Sequence, residues 1–164
     1  MEYLWTPWRS TYMKAKKEGR GCVFCDALAS NDDAKALVVY RGEHSFVILN
    51  RYPYTSGHLM IAPNAHVSRL QDASLDTLNE ITRLAQTAEV VLGEAYHPDG
   101  MNLGMNLGSA AGAGIAEHIH MHMLPRWNGD ANFMTSVGNT RIIPESLEET
   151  YSRIRQGFAK NVRD

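Results

Sequence analysis

Apolar residues recur at every third or fourth position between Leu75 and Ala95, directly after the possible N-cap residue Ser74. This spacing predicts one long amphipathic helix whose apolar side packs on a sheet. A second apolar stripe with the same spacing follows Pro144 and predicts a C-terminal helix with that proline in its first turn. The residues of the second stripe are Leu147, Tyr151, Ile154 and Phe158.

Shorter apolar runs rich in β-branched and aromatic residues predict strands at 37–40, 46–49 and 58–62, all before the long helix. Two later segments, 101–108 and 118–124, alternate between two kinds of residue. A period of two is typical of a strand with one buried face. The strands therefore lie on both sides of the long helix in the sequence, and the chain shows no internal repeat.

The segment 101–108 carries Met or Leu at every odd position and Asn or Gly at every even position. We expect the Met and Leu face to be buried and the Asn and Gly face to be open. An open face without bulky side chains favours close approach by a ligand, although an ordinary solvent-facing strand is the alternative. The small-residue loop 109–114 follows and could offer successive backbone N–H groups to an anion. It matches neither the P-loop nor the dinucleotide fingerprint.

The chain has 164 residues, about the length of one domain, and a formal net charge of −2. A near-neutral balance argues against a protein that binds nucleic acid by neutralising phosphates. No apolar run is long enough to span a bilayer, and the first residues lack the features of a signal peptide. We therefore expect a soluble, cytoplasmic protein with neither a membrane nor a nucleic acid as partner.

The chain contains two cysteines, Cys22 and Cys25, in a Cys-x-x-Cys arrangement. This spacing is typical of half a zinc site or of a redox pair. A redox pair normally follows a strand, and no strong apolar strand precedes Cys22. A zinc site would need two further ligands from elsewhere in the chain.

Three histidines, His118, His120 and His122, alternate with apolar residues. In a strand they point to one side, and the outer two start about 13 Å apart. One metal ion cannot bind all three, which leaves metal ligation, acid–base catalysis, nucleophilic catalysis or a mixture of these. An imidazole beside an anion-binding loop could attack phosphorus, with its second nitrogen bonded to a backbone carbonyl that fixes the tautomer.

The sequence His118-Ile-His-Met-His-Met-Leu124 resembles the signature of the histidine triad (HIT) family, in which histidines alternate with apolar residues. Further motifs resemble the family in the same order: Asn50, 57–61, 63–66 and 106–112. The resemblance covers residues from about 20 to 127. It implies an α+β nucleotide-binding fold with an antiparallel sheet, the long helix and the C-terminal helix. It also implies a homodimer, and one domain over residues 1–164 with terminal extensions.

The resemblance also assigns roles. It implies that His120 is the nucleophile that forms a nucleotidyl-histidine intermediate, that His122 holds the phosphate, and that buried His58 supports the nucleophile. It implies a structural zinc ion bound by Cys22, Cys25, His66 and His118. The nucleotide-binding residues that it implies are Asn50, Asn106, Gly112, Ala113, Gly114 and His122.

Several segments resemble a bacterial branch of the family that includes diadenosine tetraphosphate phosphorylases: 4–7, 111–115, 125–130 and 132–134. Common hydrolases of the family have Gln or Ser shortly before the triad, where this chain has Ala113-Gly114-Ile115. The resemblance thus implies an enzyme that cleaves diadenosine tetraphosphate with orthophosphate to ADP and ATP. The alternatives are a hydrolase that uses water on dinucleoside polyphosphates or nucleoside phosphoramidates, a zinc-dependent metallohydrolase, and a non-catalytic nucleotide sensor.

Overall fold

The computed structural model describes residues 21–131 and 144–162. The family-like segments 4–7 and 132–134 and the first twenty residues lie outside this part of the chain. Within the described residues, no helix combines the length and the apolar character needed to cross a membrane.

The described residues form a five-stranded sheet in the order β1-β2-β3-β5-β4, with every neighbouring pair antiparallel. This confirms the antiparallel sheet that the sequence predicts. Each residue of β2 and β3 is buried, which places the core at the middle of the sheet. The strands are β1 (Val38–Arg41), β2 (Ser45–Leu49), β3 (Leu59–Pro63), β4 (Gly100–Met105) and β5 (Met121–Arg126).

Four α-helices accompany the sheet in the described residues: α1 (Val23–Ala29), α2 (Asp33–Ala36), α3 (Leu75–Tyr96) and α4 (Leu147–Asn161). The long helix is confirmed as α3, and the Ser74 side chain accepts a hydrogen bond from the Thr77 N–H at its start. This helix contacts β2, β3 and β5, while α4 packs on α3 and β1. Leu75, predicted to belong to the apolar stripe, is 77% exposed because it lies in the first turn, beyond the sheet.

The C-terminal helix is confirmed, but its predicted start is wrong. Helix α4 begins at Leu147 rather than with Pro144 in its first turn. A capping box explains the boundary: the Ser146 hydroxyl accepts from the Glu149 N–H, and the Glu149 carboxylate accepts from the Ser146 N–H. The apolar stripe is buried at Tyr151, Ile154 and Phe158, as predicted.

The strand predicted over 101–108 is shorter and less buried than expected. Strand β4 ends at Met105, and the side chains of Leu103 and Leu107 are 54% and 47% exposed. The prediction of a buried Met and Leu face is therefore wrong at both leucines. The reason is that β4 is an edge strand, and α3 covers β2, β3 and β5 instead.

The histidine segment also enters the sheet later than predicted. Strand β5 begins at Met121, so that only His122 of the three histidines lies within it. His118 and His120 belong to the segment just before it, which is anchored by a 2.8 Å hydrogen bond from the Ile119 N–H to the Val67 carbonyl. Ile119 and Met123 are buried in the core, as the alternation predicts.

Candidate active site

A cavity of about 890 Å³ opens beside the histidine segment. Small-molecule sites usually have volumes of about 300–1,000 Å³, so this cavity can hold a nucleotide. His58 and His118 lie outside its lining, behind the histidines that face it. The predicted site residues that line it are Asn50, Asn106, Gly112, Ala113, Gly114, His120 and His122.

The tautomer of His120 is fixed by the backbone. Its Nδ1 lies 2.9 Å from the His118 carbonyl oxygen, which can only accept a hydrogen bond. Nδ1 therefore carries the proton, and Nε2 keeps a free lone pair. Burial lowers the pKa of His120 below its usual range, which keeps the ring neutral at pH 7. A neutral imidazole with a free Nε2 is the form that can attack phosphorus.

A relay of hydrogen bonds sets the second cavity histidine. The Tyr54 N–H lies 3.1 Å from His58 Nδ1, which must accept, so the proton of His58 is on Nε2. His58 Nε2 then donates to His122 Nδ1 at 3.0 Å. His122 in turn carries its proton on Nε2 and can donate it to a ligand. His58 therefore contacts His122, and it supports His120 only through that ring.

Both members of this relay are held neutral. Burial is the main cause that lowers the pKa of His58 to about 3, and the neighbouring His122 and His120 add a smaller effect. Burial is also the main cause that lowers the pKa of His122 to about 4, and the nearby His120 adds a smaller effect. The relay consequently donates a hydrogen bond at pH 7 without carrying a positive charge.

Asn50 orders the turn beside this relay. Its Oδ1 accepts from the Tyr52 N–H at 2.9 Å, and its Nδ2 lies 3.4 Å from both ring nitrogens of His58. These contacts fix the turn that carries Tyr54. The half-buried Asn50 side chain also lines the cavity, and its contact with a nucleotide stays a prediction.

The loop after β4 uses several of its own N–H groups. Those of Ala111 and Ala113 donate to the Gly108 carbonyl at 3.3 and 3.4 Å, and that of Gly112 donates to Ser109 at 3.0 Å. The prediction that successive N–H groups of this loop face an anion is therefore wrong at these three residues. Gly108 and Gly112 have φ angles of 80° and 91°, which explains the glycines at the two ends of the turn.

The cavity has an apolar wall that the sequence did not predict. Phe24 and Ala27 of α1 line it together with Leu37 and Ile48. The Phe24 ring lies 4.8 Å from the His120 ring, centroid to centroid. Such residues cannot be distinguished from core residues by pattern alone. The one available signal was that Phe24 stands between the two cysteines and must follow them to their ligand site.

The four predicted zinc ligands come together on the far side of Phe24. The ligand atoms of Cys22, Cys25, His66 and His118 all lie within 4.8 Å of one another. The Sγ atom of Cys22 lies 3.3 Å from His118 Nδ1, and that of Cys25 lies 3.3 Å from His66 Nδ1. Tetrahedral zinc with ordinary bond lengths needs sulfur–nitrogen separations of about 3.6 Å. The cluster thus has the donors and the spacing of a structural zinc site.

The orientation of His118 fits this assignment. Its Nε2 donates to the Pro63 carbonyl at 2.9 Å, which leaves the lone pair on Nδ1 directed toward the cysteines. Four protein donors complete a tetrahedral shell and leave no position for a reactive water molecule. This arrangement favours a structural metal over the metallohydrolase alternative.

A family model described as HIT domain matches residues 31–129. An AP-4-A phosphorylase from Mycobacterium tuberculosis is 38% identical over 168 aligned residues, which cover 98% of this chain and 86% of that protein.

Solved structures agree with this result. A Zn-bound histidine triad family protein from Mycobacterium smegmatis has a TM-score of 0.69 and 31% identity, covering 85% of this chain and 94% of that one. A hypothetical histidine triad nucleotide-binding protein from Sulfolobus tokodaii has a TM-score of 0.67 and 27% identity, covering 85% and 93%.

Proposed function

The chain belongs to the histidine triad (HIT) family, and from this premise we propose that it cleaves a dinucleoside polyphosphate through a covalent intermediate on His120, with orthophosphate as acceptor. The observation that carries the proposal is the fixed tautomer of His120, whose Nδ1 is bonded to the His118 carbonyl at 2.9 Å. It leaves a neutral nucleophilic nitrogen at a cavity of nucleotide size.

The first step is an in-line attack of His120 Nε2 on the α-phosphorus of the substrate. A P–N bond forms, and the P–O bond to the leaving nucleoside polyphosphate breaks. The Nε2–H of His122 donates a hydrogen bond to a phosphoryl or leaving oxygen, where negative charge develops. Because the relay through His58 is neutral, this hydrogen bond needs no protonation event before the attack.

The second step frees His120. An oxygen of orthophosphate attacks the phosphorus of the nucleotidyl-histidine, a new P–O bond forms, and the P–N bond breaks. With diadenosine tetraphosphate as substrate, the first step releases ATP and the second releases ADP. The name of the M. tuberculosis relative supports this substrate and this acceptor. Water in place of orthophosphate would release AMP instead.

The nucleoside part fits the apolar side of the cavity. Phe24, Leu37 and Ile48 offer an uncharged surface for the base, and Asn50 lies where a ribose would reach the turn. Asn106 and the small residues 112–114 line the part near the histidines, where bulky side chains would exclude a phosphate. We therefore propose that the base lies against Phe24, Leu37 and Ile48 and the phosphorus against His120.

The zinc ion would be held by Cys22, Cys25, His66 and His118, and when bound it supplies a cross-link between α1 and the catalytic segment. Its role is structural, since Phe24 between the cysteines packs on both His118 and His120. A thiolate zinc site and a nucleotide substrate both fit a reducing, nucleotide-rich compartment, which supports the cytoplasm as the location.

We further propose that two copies of the chain form a homodimer through strand β4. Among the described residues no strand pairs with the outer side of β4, and Leu103 of β4 and Leu107 just after it offer exposed apolar surface. A long edge with exposed leucines is a liability unless another surface covers it. A second copy of the same edge would cover both features at once.

The decisive experiment incubates the protein with diadenosine tetraphosphate, with and without orthophosphate, and identifies the products by chromatography. ADP and ATP that appear only with orthophosphate support the phosphorylase. AMP and ATP without orthophosphate indicate a hydrolase. Cleavage of adenosine 5′-phosphoramidate alone indicates the phosphoramidate alternative, and binding without any turnover indicates a sensor.

A variant tests the role of His120. His120→Asn keeps a donor near the His118 carbonyl and removes the attacking nitrogen, so we expect turnover to fall below detection while AMP still binds. Retained turnover in this variant would refute the covalent step. A zinc-free sample that stays folded and active would refute the metallohydrolase alternative.

A further inference from the structure

A second cavity, of about 640 Å³, lies next to the first. Tyr54 lines both of them, so the two cavities adjoin at the turn that follows Asn50. Neither His120 nor the zinc ligands line the second cavity. Apart from Tyr54, whose N–H donates to His58, the residues of its wall have no part in the chemistry described above.

The second cavity lies farther along the sheet face that carries His122. Residues 122, 124 and 126 of β5 share one face, and Asn102 of β4 pairs with Leu124 in the antiparallel ladder. The Cα atoms of His122 and Arg126 are about 13 Å apart at the usual rise per residue. Arg126 Nη1 donates to Asn102 Oδ1 at 2.6 Å, which directs the guanidinium back toward His122.

The Arg126 guanidinium is held in place but keeps donors for a ligand. Its Nε and Nη2 donate to the two carboxylate oxygens of Asp130 at 2.5 and 2.9 Å. Guanidinium has five N–H groups, so two of them have no acceptor among the described residues. The side chain is 46% exposed, so a phosphate can reach these two groups.

Other residues of the wall suit a nucleotide. A second arginine, Arg153, lies with its guanidinium carbon 5.5 Å from the centre of the Tyr96 ring and is paired with Glu145 at 2.9 Å. Tyr96 and Trp127 add aromatic surface. Guanidinium groups bind phosphates, and aromatic rings bind bases and riboses. One cavity combines both.

From these observations we infer that the second cavity binds the distal half of the substrate, the leaving nucleotide, and that Arg126 binds its distal phosphate. This inference rests on the proposed function. The first cavity holds the nucleotide that His120 attacks, and the polyphosphate runs along the face of β5 past His122. Arg126 makes the enzyme select dinucleoside polyphosphates over short nucleotide esters. The attacking orthophosphate must reach the phosphorus at His120, which is too far from Arg126 for contact.

The test measures binding without turnover, in the His120→Asn background, by calorimetry. Arg126→Gln should lower the affinity for diadenosine tetraphosphate by roughly tenfold, the effect of one charge-assisted hydrogen bond. The affinity for AMP should stay within about twofold. Arg126→Lys keeps the positive charge but loses the planar guanidinium, so its affinity should lie between those of the parent and Arg126→Gln. Asn102→Ala should also weaken the tetraphosphate, because it releases the guanidinium. Arg83→Gln, on the exposed side of α3, is the matched control and should change neither affinity.

The same Arg126→Gln change is then made with His120 intact. We expect kcat/KM to fall for diadenosine tetraphosphate and to stay unchanged for adenosine 5′-phosphoramidate. Equal losses for long and short ligands, no loss for either, or a rise confined to the KM for orthophosphate would each overturn the inference. If the protein with Arg126 intact does not bind AMP in the first cavity, the proposed function is refuted, and the inference with it.

Discussion

His58 Nε2 lies 3.0 Å from Nδ1 of His122, and this contact determines which nitrogen of His122 can donate to a ligand. The direction of the bond follows from the other end of the relay, where the Tyr54 N–H donates to His58 Nδ1. A buried residue that touches no ligand thereby sets the proton position of one that does. His58 is therefore a positioning residue. Because its Nε2–H donates to His122 Nδ1, the neutral His122 ring keeps its proton on Nε2 and can donate it to a ligand.

The relay predicts a specific defect in a His58→Leu variant. Without a donor at Nδ1, His122 loses its preference for the Nε2–H tautomer. We expect kcat to fall by roughly ten- to a hundredfold, less than the roughly hundred- to thousandfold loss when a positioned donor is removed outright. The nitrogen NMR shifts of His122 should show the tautomer change directly. Ser45→Ala is a matched control, since Ser45 is a buried polar residue that lines neither cavity and whose hydroxyl has no partner among the described residues. A preserved His122 tautomer in His58→Leu would contradict the relay.

The same two histidines predict loss of stability in acid. The folded protein holds the pKa of His58 at about 3 and of His122 at about 4, whereas both are near 6.5 when unfolded. Below pH 6.5 the unfolded chain therefore binds protons that the folded chain does not, and the free energy of unfolding falls with pH down to about 4. Stability from these groups is fully present above pH 6.5.

A His122→Gln variant isolates one of these groups, since its side-chain oxygen can still accept from His58. Between pH 6 and 4.5 we expect its free energy of unfolding to depend on pH less steeply than that of the parent, by on the order of 1 kcal/mol per pH unit. Urea unfolding at several pH values measures both slopes. Proton release from the zinc site is common to the two proteins and cancels in the difference. Equal slopes would contradict the depressed pKa of His122.

Removal of a zinc ligand should destabilise α1, which forms one wall of the active site. We expect the purified protein to hold about one zinc ion per chain and Cys25→Ser to hold almost none, with a lower melting temperature. AMP should bind more weakly to Cys25→Ser, because α1 carries Phe24 and Ala27 of the cavity wall. His44→Ala, which changes a histidine outside the cluster, should keep its zinc. Unchanged zinc content in Cys25→Ser would contradict the assigned ligands.

The zinc ligands and the histidine motif show how far the sequence could go, whereas the relay through His58 came only from the structure. The histidine motif and the Cys-x-x-Cys pair carry unusual residue types at fixed spacing, so their chemistry is visible before the fold is known. The wall formed by Leu37 and Ile48 is not, because apolar residues that line a cavity and those that fill a core obey the same pattern. Only the positions of the α2–β1 junction and of β2 in space separate the two.

The prediction that the apolar face of the edge strand β4 is buried was wrong for a different reason. The alternation in 101–108 correctly indicates a strand, but Leu103 was expected to be buried and is exposed. A sequence pattern reports that a face is apolar and does not report what covers it. At this edge the described residues of one chain supply no cover, which is the basis for the proposed dimer.

The dimer is tested by placing a charge at that edge. In Leu103→Glu we expect a monomer at micromolar concentration where the parent is a dimer, because the carboxylates would be buried at the joined edges. Leu75→Glu is the matched control, since Leu75 is 77% exposed on α3, away from the edge, and should leave the dimer intact. Analytical ultracentrifugation distinguishes the two states. A monomeric parent, or a dimeric Leu103→Glu, would refute the proposed interface.

Two helical glycines predict opposite effects of the same substitution. A Cβ on Gly157 of α4 would lie 2.5 Å from Val91 Cγ1 of α3, closer than real atoms approach. The two helices would have to separate, and we expect Gly157→Ala to destabilise the protein by about 1–3 kcal/mol. A Cβ on Gly93 of α3 would meet nothing within 4 Å, so Gly93→Ala should stabilise it by about 0.5–1 kcal/mol through the higher helix propensity of alanine.

Chemical unfolding of these two single variants and of the double variant measures the effects. Helix propensity favours alanine equally at both positions, so a difference in sign can only come from the contact between the helices. The glycine at 157 is therefore needed for the close approach of α4 to α3, which brings α4 over the sheet. Stabilisation by Gly157→Ala would show that the helices pack less closely than the structure has them.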